Sequence, residues 1–202
     1  GLVLAWVVLR IFRTKSSATS EEYIRVFHDR RARTRLLDVP AKLLAGVATI
    51  GFGGSVGLEG PSLFSGGTIG ETVQRLAPGF WRREEARVLM VAGGAAGVAA
   101  VFKAPLTGLV FAMEVPYRDD IARHVLGPAL VASASAYLVE AGFRGTAPLV
   151  PIFGRPEFGP RDLLLAIAVG LLAGLVGRAL IVVFRSVTGF MYRLSPDRKS
   201  TR

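Results

Sequence analysis

The sequence predicts an all-α integral membrane protein with several tilted and broken transmembrane helices, and three observations support this fold class. Hydrophobic residues make up 51% of the 202 residues, whereas charged residues make up 20%. The stretch Leu163–Val183 carries one charge, Arg178, over about twenty residues, the length that a helix needs to cross a bilayer. Shorter uncharged stretches occur in the broken helices of transporters and also in the cores of soluble proteins. They are 43–58, 88–102, 104–113 and 125–139, and the full-length span beside them favours the membrane.

Start and stop signals divide the chain into helices. Hydroxyl and acidic residues at 16–22 form a helix-start signal, and the basic amphipathic segment 23–35 that follows is expected along the membrane interface. Pro61 suits the first turn of a helix, where a missing N–H costs nothing. Pro78-Gly79 and Lys103-Ala104-Pro105 are breaks. The predicted helices are 1–12, 23–35, 41–56, 61–76, 88–101, 106–115, 121–141 and 161–190.

The ends of these segments also suggest how the chain is organised. It opens within the apolar run 1–9 without an initiator Met, and we identify no signal peptide there. We therefore expect the sequence to be part of a longer protein. The segment 142–160 is rich in Gly and Pro and is expected to be a loop.

The composition excludes several classes of function. The formal charge of +10 comes from Lys and Arg between the apolar runs, which is the usual distribution in membrane proteins. No aromatic ladder or nucleic-acid motif accompanies these charges, so we expect no nucleic-acid partner. The chain has no Cys and only two His, which leaves little for metal binding or acid–base catalysis. We expect no metal, no cofactor and no enzymatic activity.

Glycines recur at four-residue spacing in three of the predicted helices. In a membrane this spacing lets two helix backbones approach closely, so we favour helix packing over a direct role in lining an ion path. The pairs are Gly66/Gly70, Gly93/Gly97 and Gly170/Gly174.

Glu59 is a lone carboxylate at the start of a predicted helix, inside the apolar segment 57–70. A helix N-terminus offers unpaired N–H groups and a partial positive charge, so it attracts anions. Gly57 and Gly60 let the backbone bend sharply beside it. Glu59 stands where an anion would bind and has the same charge. It can occupy that place, or leave it when protonated, which is the chemistry of a gated anion site.

Three stretches together resemble the CLC family of chloride channels and chloride/proton exchangers. The first is Gly57-Leu58-Glu59-Gly60-Pro61, similar to the family's Gly-Arg-Glu-Gly-Pro, and the second is Gly66-Gly67-Thr68-Ile69-Gly70 at the family's spacing after it. The third runs from Gly93 through Phe102-Lys103-Ala104-Pro105-Leu106 to Glu114. One such motif is weak evidence, but all three in order are specific.

The resemblance implies roles for particular residues. Glu59 corresponds to the gating glutamate, and the amides around Leu58, Glu59 and Gly60 correspond to the outer anion site. The family forms homodimers, and the helix that carries Leu106, Leu109 and Met113 corresponds to one at the dimer interface. The same spacing would also fit ordinary core residues. Residues 1–158 would belong to the first family repeat. Residues 159–202 would supply the first helix of the second repeat and a charged tail, which makes the inverted repeat incomplete.

Two departures from the family pattern bear on function. The loop that holds the central ion usually reads Gly-Ser-Gly-Ile-Pro-Glu, and its Ser falls at Ala18, with Thr19 and Ser20 beside it. Backbone N–H groups there can still bind an anion, but fluoride or nitrate becomes an alternative to chloride. Exchangers carry two adjacent acids where this chain has Glu114-Val115. Because Val115 cannot carry a proton, the resemblance favours a channel over a proton exchanger.

We therefore expect a multi-pass protein of the cell membrane that transports chloride or another small anion, gated by Glu59, as a homodimer in the lipid bilayer. A passive channel is favoured over an exchanger. A non-conducting membrane scaffold and a membrane-bound enzyme that uses Glu59 as an acid are the alternatives from other classes. The enzyme would need a second carboxylate, a nucleophile or a metal site, and the apolar segments offer none.

Overall fold

The computed structural model describes residues 1–14, 16–29, 31–82, 85–117, 123–149 and 159–194. Over these residues the regular structure is helical, with a short 3-10 turn at Arg123–Val125. The helices are α1 Leu2–Ile11, α2 Ser20–His28, α3 Asp38–Gly51, α4 Glu59–Leu76, α5 Ala86–Phe102, α6 Pro105–Glu114, α7 Leu126–Arg144 and α8 Pro160–Leu194. All-α architecture is therefore confirmed.

The chain divides into two compact units, Gly1–Pro151 and Ile152–Arg202. The second unit contains α8, in which an 18-residue window of Pro160–Met191 has a mean hydropathy of 2.4, and the segment is long enough to cross a membrane. In the first unit Arg123–Arg144 is also long enough, and its 18-residue window has a mean hydropathy of 1.3. The boundary between family repeats at residue 158 stays a prediction.

Most predicted helices are found within a few residues of their expected ends, but α2 is different. It ends at His28 rather than at residue 35, and Tyr23, Val26 and Phe27 are buried. The predicted helix 23–35 is therefore seven residues too long, while its place along the membrane interface stays a prediction. The apolar face of α2 packs into the core, so its amphipathic pattern reflects one buried side and one basic side.

Helix α5 lies at the centre of the first unit, with α4, α6 and α7 packed around it. The contact between α4 and α5 is made by backbone against backbone. A Cβ at Gly66 would collide with the carbonyl of Gly93, and one at Gly93 would collide with the carbonyl of Gly66. Gly70 and Gly97 are equally close to the backbone of the facing helix. The predicted packing role of these two glycine pairs is confirmed.

The same reasoning does not extend to Gly170 and Gly174. No atom that a Cβ would meet lies within 4 Å of either glycine. Their packing role stays a prediction.

A sharp corner joins α5 to α6. Lys103 ends α5 with φ of 52°, in the left-handed region, and Pro105 starts α6. The Lys103 amine donates to the carbonyls of Gly145 at 3.0 Å and Ala147 at 3.1 Å, just beyond the end of α7. Because a cation is favourable beside the carbonyl end of a helix, this contact fixes α7 against the corner.

Helix α6 corrects the predicted dimer interface. Leu109 and Met113 are 5% and 4% exposed and belong to the hydrophobic core of the chain, whereas Leu106 is 67% exposed. The close approach of Gly108 to Ala95 pulls this part of α6 onto α5. Leu109 and Met113 are therefore core residues, the alternative that their spacing left open, and of the three predicted interface residues Leu106 alone is exposed.

Basic side chains gather at one end of the first unit, which we call the arginine end. It comprises the C-terminal ends of α1, α2, α4 and α6 and the N-terminal ends of α3 and α5. The Arg35 guanidinium donates to the Arg13 carbonyl, and Arg33 and Arg75 both pair with Glu71. Its described basic residues are Arg10, Arg13, Arg25, Arg31, Arg33, Arg35, Arg75, Arg82 and Arg87, and its acids include Asp29, Asp38, Glu71, Glu85 and Glu114.

Gly66→Ala is expected to destabilise the protein by about 1–3 kcal/mol, because the new methyl group overpacks the α4–α5 contact and its neighbour is backbone that cannot turn aside. Gly127→Ala is the matched control, since a methyl group at Gly127 in α7 would meet no atom within 4 Å. It should leave stability unchanged or raise it by up to about 1 kcal/mol. Thermal unfolding in detergent measures both; equal midpoints for the two variants would contradict the packing argument.

Candidate anion site

Two helix N-termini form the candidate site. Helix α2 begins at Ser20 after Thr19, and α4 begins at Glu59 after Leu58. Neither preceding side chain caps its helix by a hydrogen bond. The N–H groups of a first helical turn have no partner within the helix and carry a partial positive charge. Both ends are therefore able to bind an anion through backbone amides.

These two ends lie in direct contact at Gly60. A Cβ at this position would collide with Oγ1 of Thr19 and would lie 3.2 Å from Oγ of Ser20. Only a glycine therefore lets the first turn of α4 come this close to the start of α2. The two segments are about forty residues apart in sequence, and the fold brings them together.

The carboxylate of Glu59 bends back over the start of its own helix. It occupies the space beside Gly57 where any other residue would carry a Cβ. Glu59 is exposed within this chain, and its carboxylate has no hydrogen bond or ion pair with any described residue. The side chain is thus placed at a helix N-terminus but is not fixed there, so it can rotate without breaking a polar contact.

A buried lysine supports both helix ends from behind. Lys42 of α3 donates to the Ala18 carbonyl and to Oε2 of Glu22, each at 2.5 Å. Its amine also lies 3.7 Å from the centre of the Phe64 ring in α4. The Lys42 side chain is only 1% exposed. One cation therefore joins α2, α3 and α4 directly behind the candidate site, and its charge is balanced by Glu22.

Sequence reasoning found the two helix ends but missed Lys42. The signal was available, because Lys42 is a lone charge between Val39 and the uncharged run that begins at Leu43. A charge in such a place is buried only when it is paired. The sequence did not indicate its partner, because Glu22 was interpreted there only as an acid of the helix-start signal.

The other predicted site residues divide into two groups. Thr19 and Ser20 lie against the first turn of α4 at Gly60, and Ala18 directly precedes them; their anion-binding role stays a prediction. Val115 lies elsewhere, just after α6. The Nε2–H group of His28 donates to the Pro116 carbonyl at 2.5 Å, which puts Val115 at the C-terminal end of α2. A nine-residue helix separates that position from the site, about 13 Å along its axis.

The family model described as voltage gated chloride channel matches residues 1–201. The chain belongs to this family. An H(+)/Cl(-) exchange transporter ClcA of Citrobacter koseri is 32% identical over 142 residues, which cover 69% of this chain and 29% of that protein. A chloride/fluoride channel protein of Pseudomonas syringae pv. tomato is 31% identical over 170 residues, which cover 83% of this chain and 36% of that protein.

The solved structure of a CLC-type fluoride/proton antiporter shares the fold. It superposes with a TM-score of 0.73 at 24% identity, covering 97% of this chain and 49% of the antiporter chain. The chain thus spans about a third of the length of its curated relatives and half of this structure. Resemblance to the CLC family and the membrane fold class are both confirmed.

Contact between the two helix ends can be tested by a pair of substitutions. Gly60→Ala should destabilise the protein by about 1–3 kcal/mol, because the new methyl group collides with the Thr19 hydroxyl. Thr19→Ala removes that hydroxyl, so the double variant should recover most of the loss. Thermal unfolding of the two single variants and the double variant measures the coupling. Purely additive effects would show that the ends are not in contact.

Proposed function

We propose that this chain forms part of a chloride pathway across the membrane, in which the Glu59 carboxylate competes with the permeating ion. The observation that carries the proposal is the meeting of two uncapped helix N-termini at Gly60, with an unpaired carboxylate at one of them. Membership of a family of chloride channels supports it.

The mechanism follows from charge and position. Amide N–H groups at the starts of α2 and α4 stabilise a halide in a region where a bare anion would otherwise be costly. The ion pair of Lys42 and Glu22 behind them holds the two helix starts in place. An ionised Glu59 carboxylate competes for the same amides. Protonation or rotation of this side chain removes its negative charge from the site and lets an anion enter.

Passive conduction is the mode that we favour. Val115 occupies the position of the second acid in the exchangers, and a valine cannot accept a proton. Proton-coupled exchange is the second candidate, because the similar proteins include an H(+)/Cl(-) exchange transporter and the structural neighbour is a fluoride/proton antiporter. In that case protons would reach Glu59 by a route that avoids residue 115.

Chloride is the proposed ion and fluoride the alternative. Ala18 has no hydroxyl to offer a central ion, so binding there rests on backbone amides, which do not distinguish halides by side-chain chemistry. The Pseudomonas syringae relative, named as a chloride/fluoride channel protein, keeps fluoride in consideration. Flux of both ions through the same vesicles decides between them.

Assembly and location complete the proposal. We place the protein in the cell membrane as a homodimer, each subunit with its own pathway. In α6 the side chains of Leu106 and Val110 are 67% and 56% exposed and are available for a subunit contact. A non-conducting scaffold is the alternative that predicts no flux at all. No catalytic chemistry is proposed for Glu59.

Glu59→Gln is expected to raise chloride flux at neutral pH and to flatten its dependence on pH, because the amide resembles the protonated acid and cannot ionise. The experiment uses the full-length protein in liposomes with a chloride electrode. Glu140→Gln is the matched control, since Glu140 is an acid of α7 that pairs with Arg144 rather than with a residue of the site. If the Glu59 variant keeps the size and pH dependence of the unmodified protein, Glu59 is not a gate.

The mode of transport has its own test. Chloride and proton electrodes should be read together while a chloride gradient drives flux through the unmodified protein. A channel moves chloride without net proton movement, and we expect this result. Proton uptake against its gradient would instead establish exchange, while leaving the role of Glu59 in the anion pathway intact.

A further inference from the structure

A groove at the arginine end lies apart from the anion site and has no part in its mechanism. It encloses about 480 Å³ between the α2–α3 connection and the turn that follows α4. Its lining residues are Arg33, Gln74, Arg75, Pro78, Trp81 and Arg82. Three arginines line one cavity, so an anion is favoured there to the extent that the nearby carboxylates do not balance their charge.

The first two arginines are held in place by a buried carboxylate. Glu71 has a side chain only 3% exposed, and its carboxylate lies 3.3 Å from Nη1 of Arg33 and 3.0 Å from Nη2 of Arg75. Arg75 also donates to the Thr34 carbonyl at 2.8 Å. Each guanidinium has five N–H donors, so both keep donors for a further partner. Glu71 thus orients the pair without neutralising all of its charge.

The third arginine stands at the open rim. The Arg82 backbone N–H is bound by the Glu85 carboxylate at 2.6 Å, and Arg82 is exposed. The Gln74 side chain donates to the Trp81 carbonyl and thereby closes the turn that carries Trp81 and Arg82. Within the described part of the chain, the arginines of the groove and the two nearby acids leave an excess of one positive charge.

Apolar side chains extend from the same turn. Leu76 is 80% exposed and Phe80 is 90% exposed, and Trp81 lines the groove while remaining 38% exposed. A site for a water-soluble phosphate needs no such apolar border. Tryptophan beside arginine, with aliphatic and aromatic groups projecting past them, is the composition of a membrane–water interface.

The distribution of charge sets the side of the membrane. The described basic residues of the first unit are concentrated at the arginine end, whereas Lys103 and Arg144 lie at the opposite end. Loops rich in Lys and Arg stay in the cytoplasm. The groove therefore faces the cytoplasmic leaflet, which holds the anionic lipids.

We propose that this groove binds the headgroup of an anionic phospholipid from the cytoplasmic leaflet. The phosphodiester lies between Arg33, Arg75 and Arg82, because guanidinium groups bind phosphate oxygens in a planar, two-pronged geometry. The acyl chains lie along Leu76 and Phe80. This site does not depend on Glu59 or on the conducting function, and it requires only that the chain is embedded in a membrane.

Native mass spectrometry of the full-length protein in detergent tests the proposal, with dioctanoyl phosphatidylglycerol as the probe. Arg82→Gln should weaken binding of this lipid about five-fold, the effect of losing one arginine near a membrane surface. Arg82 is exposed, so the variant should keep the thermal stability of the unmodified protein. Arg144→Gln is the matched control at the opposite end and should bind as the unmodified protein does.

Two further ligands separate the possible sources of the phosphate. Dioctanoyl phosphatidylcholine should bind more weakly than the anionic lipid, because its headgroup carries no net charge. Glycerol phosphate, which has the phosphate without acyl chains, should bind at least about ten-fold more weakly, since it buries no apolar surface. Equal affinity for glycerol phosphate would reveal a site for a soluble phosphate compound and overturn the lipid. Equal affinity of Arg82→Gln and the unmodified protein would overturn the site itself.

Discussion

The arrangement of the candidate site depends on one buried cation. Lys42 reaches from α3 to the carbonyl before α2, to the Glu22 carboxylate and to the face of Phe64 in α4. A buried charge costs several kcal/mol unless it is paired and hydrogen-bonded, and this one is both. Removing either partner alone would strand the other charge, so the contact is strongly constrained. It is this constraint that holds two helix starts, distant in sequence, side by side.

Glycines at the helix contacts are as important as this cation, because they have no side chain to keep the backbones apart. Gly66 and Gly93 let the α4 and α5 backbones touch, and Gly60 does the same for α4 and the start of α2. Helix α4 is thereby fixed on both sides by contacts that tolerate no added methyl group. Because Glu59 is the first residue of that helix, its position follows from the packing rather than from bonds of its own. A rigid helix with an unrestrained carboxylate at its tip is the result.

Local signals predicted the helices, the glycine contacts and the placement of Glu59, since prolines, glycines and apolar period act over a few residues. Long-range partners were not predictable in this way. Nothing in the local pattern of 23–35 indicated that Tyr23 would be buried against α5 and α6, or that the helix would end at His28. The spacing of Leu109 and Met113 fits a subunit interface and a protein core equally well, and only the fold shows that they belong to the core. The pairing of Lys42 with Glu22 likewise required three helices to be assembled.

The unpaired state of the Glu59 carboxylate has a consequence for how fast this side chain can leave its place. Exposed side chains change rotamer within picoseconds to nanoseconds, whereas displacing packed helices takes microseconds or longer. The helices around Glu59 are locked by glycine contacts, and the acid at their junction is not. In the proposed mechanism such a barrier would open by rotation about a few side-chain bonds, at a rate set by the arrival of a proton or a competing ion. The surrounding helices would not have to move for ions to pass.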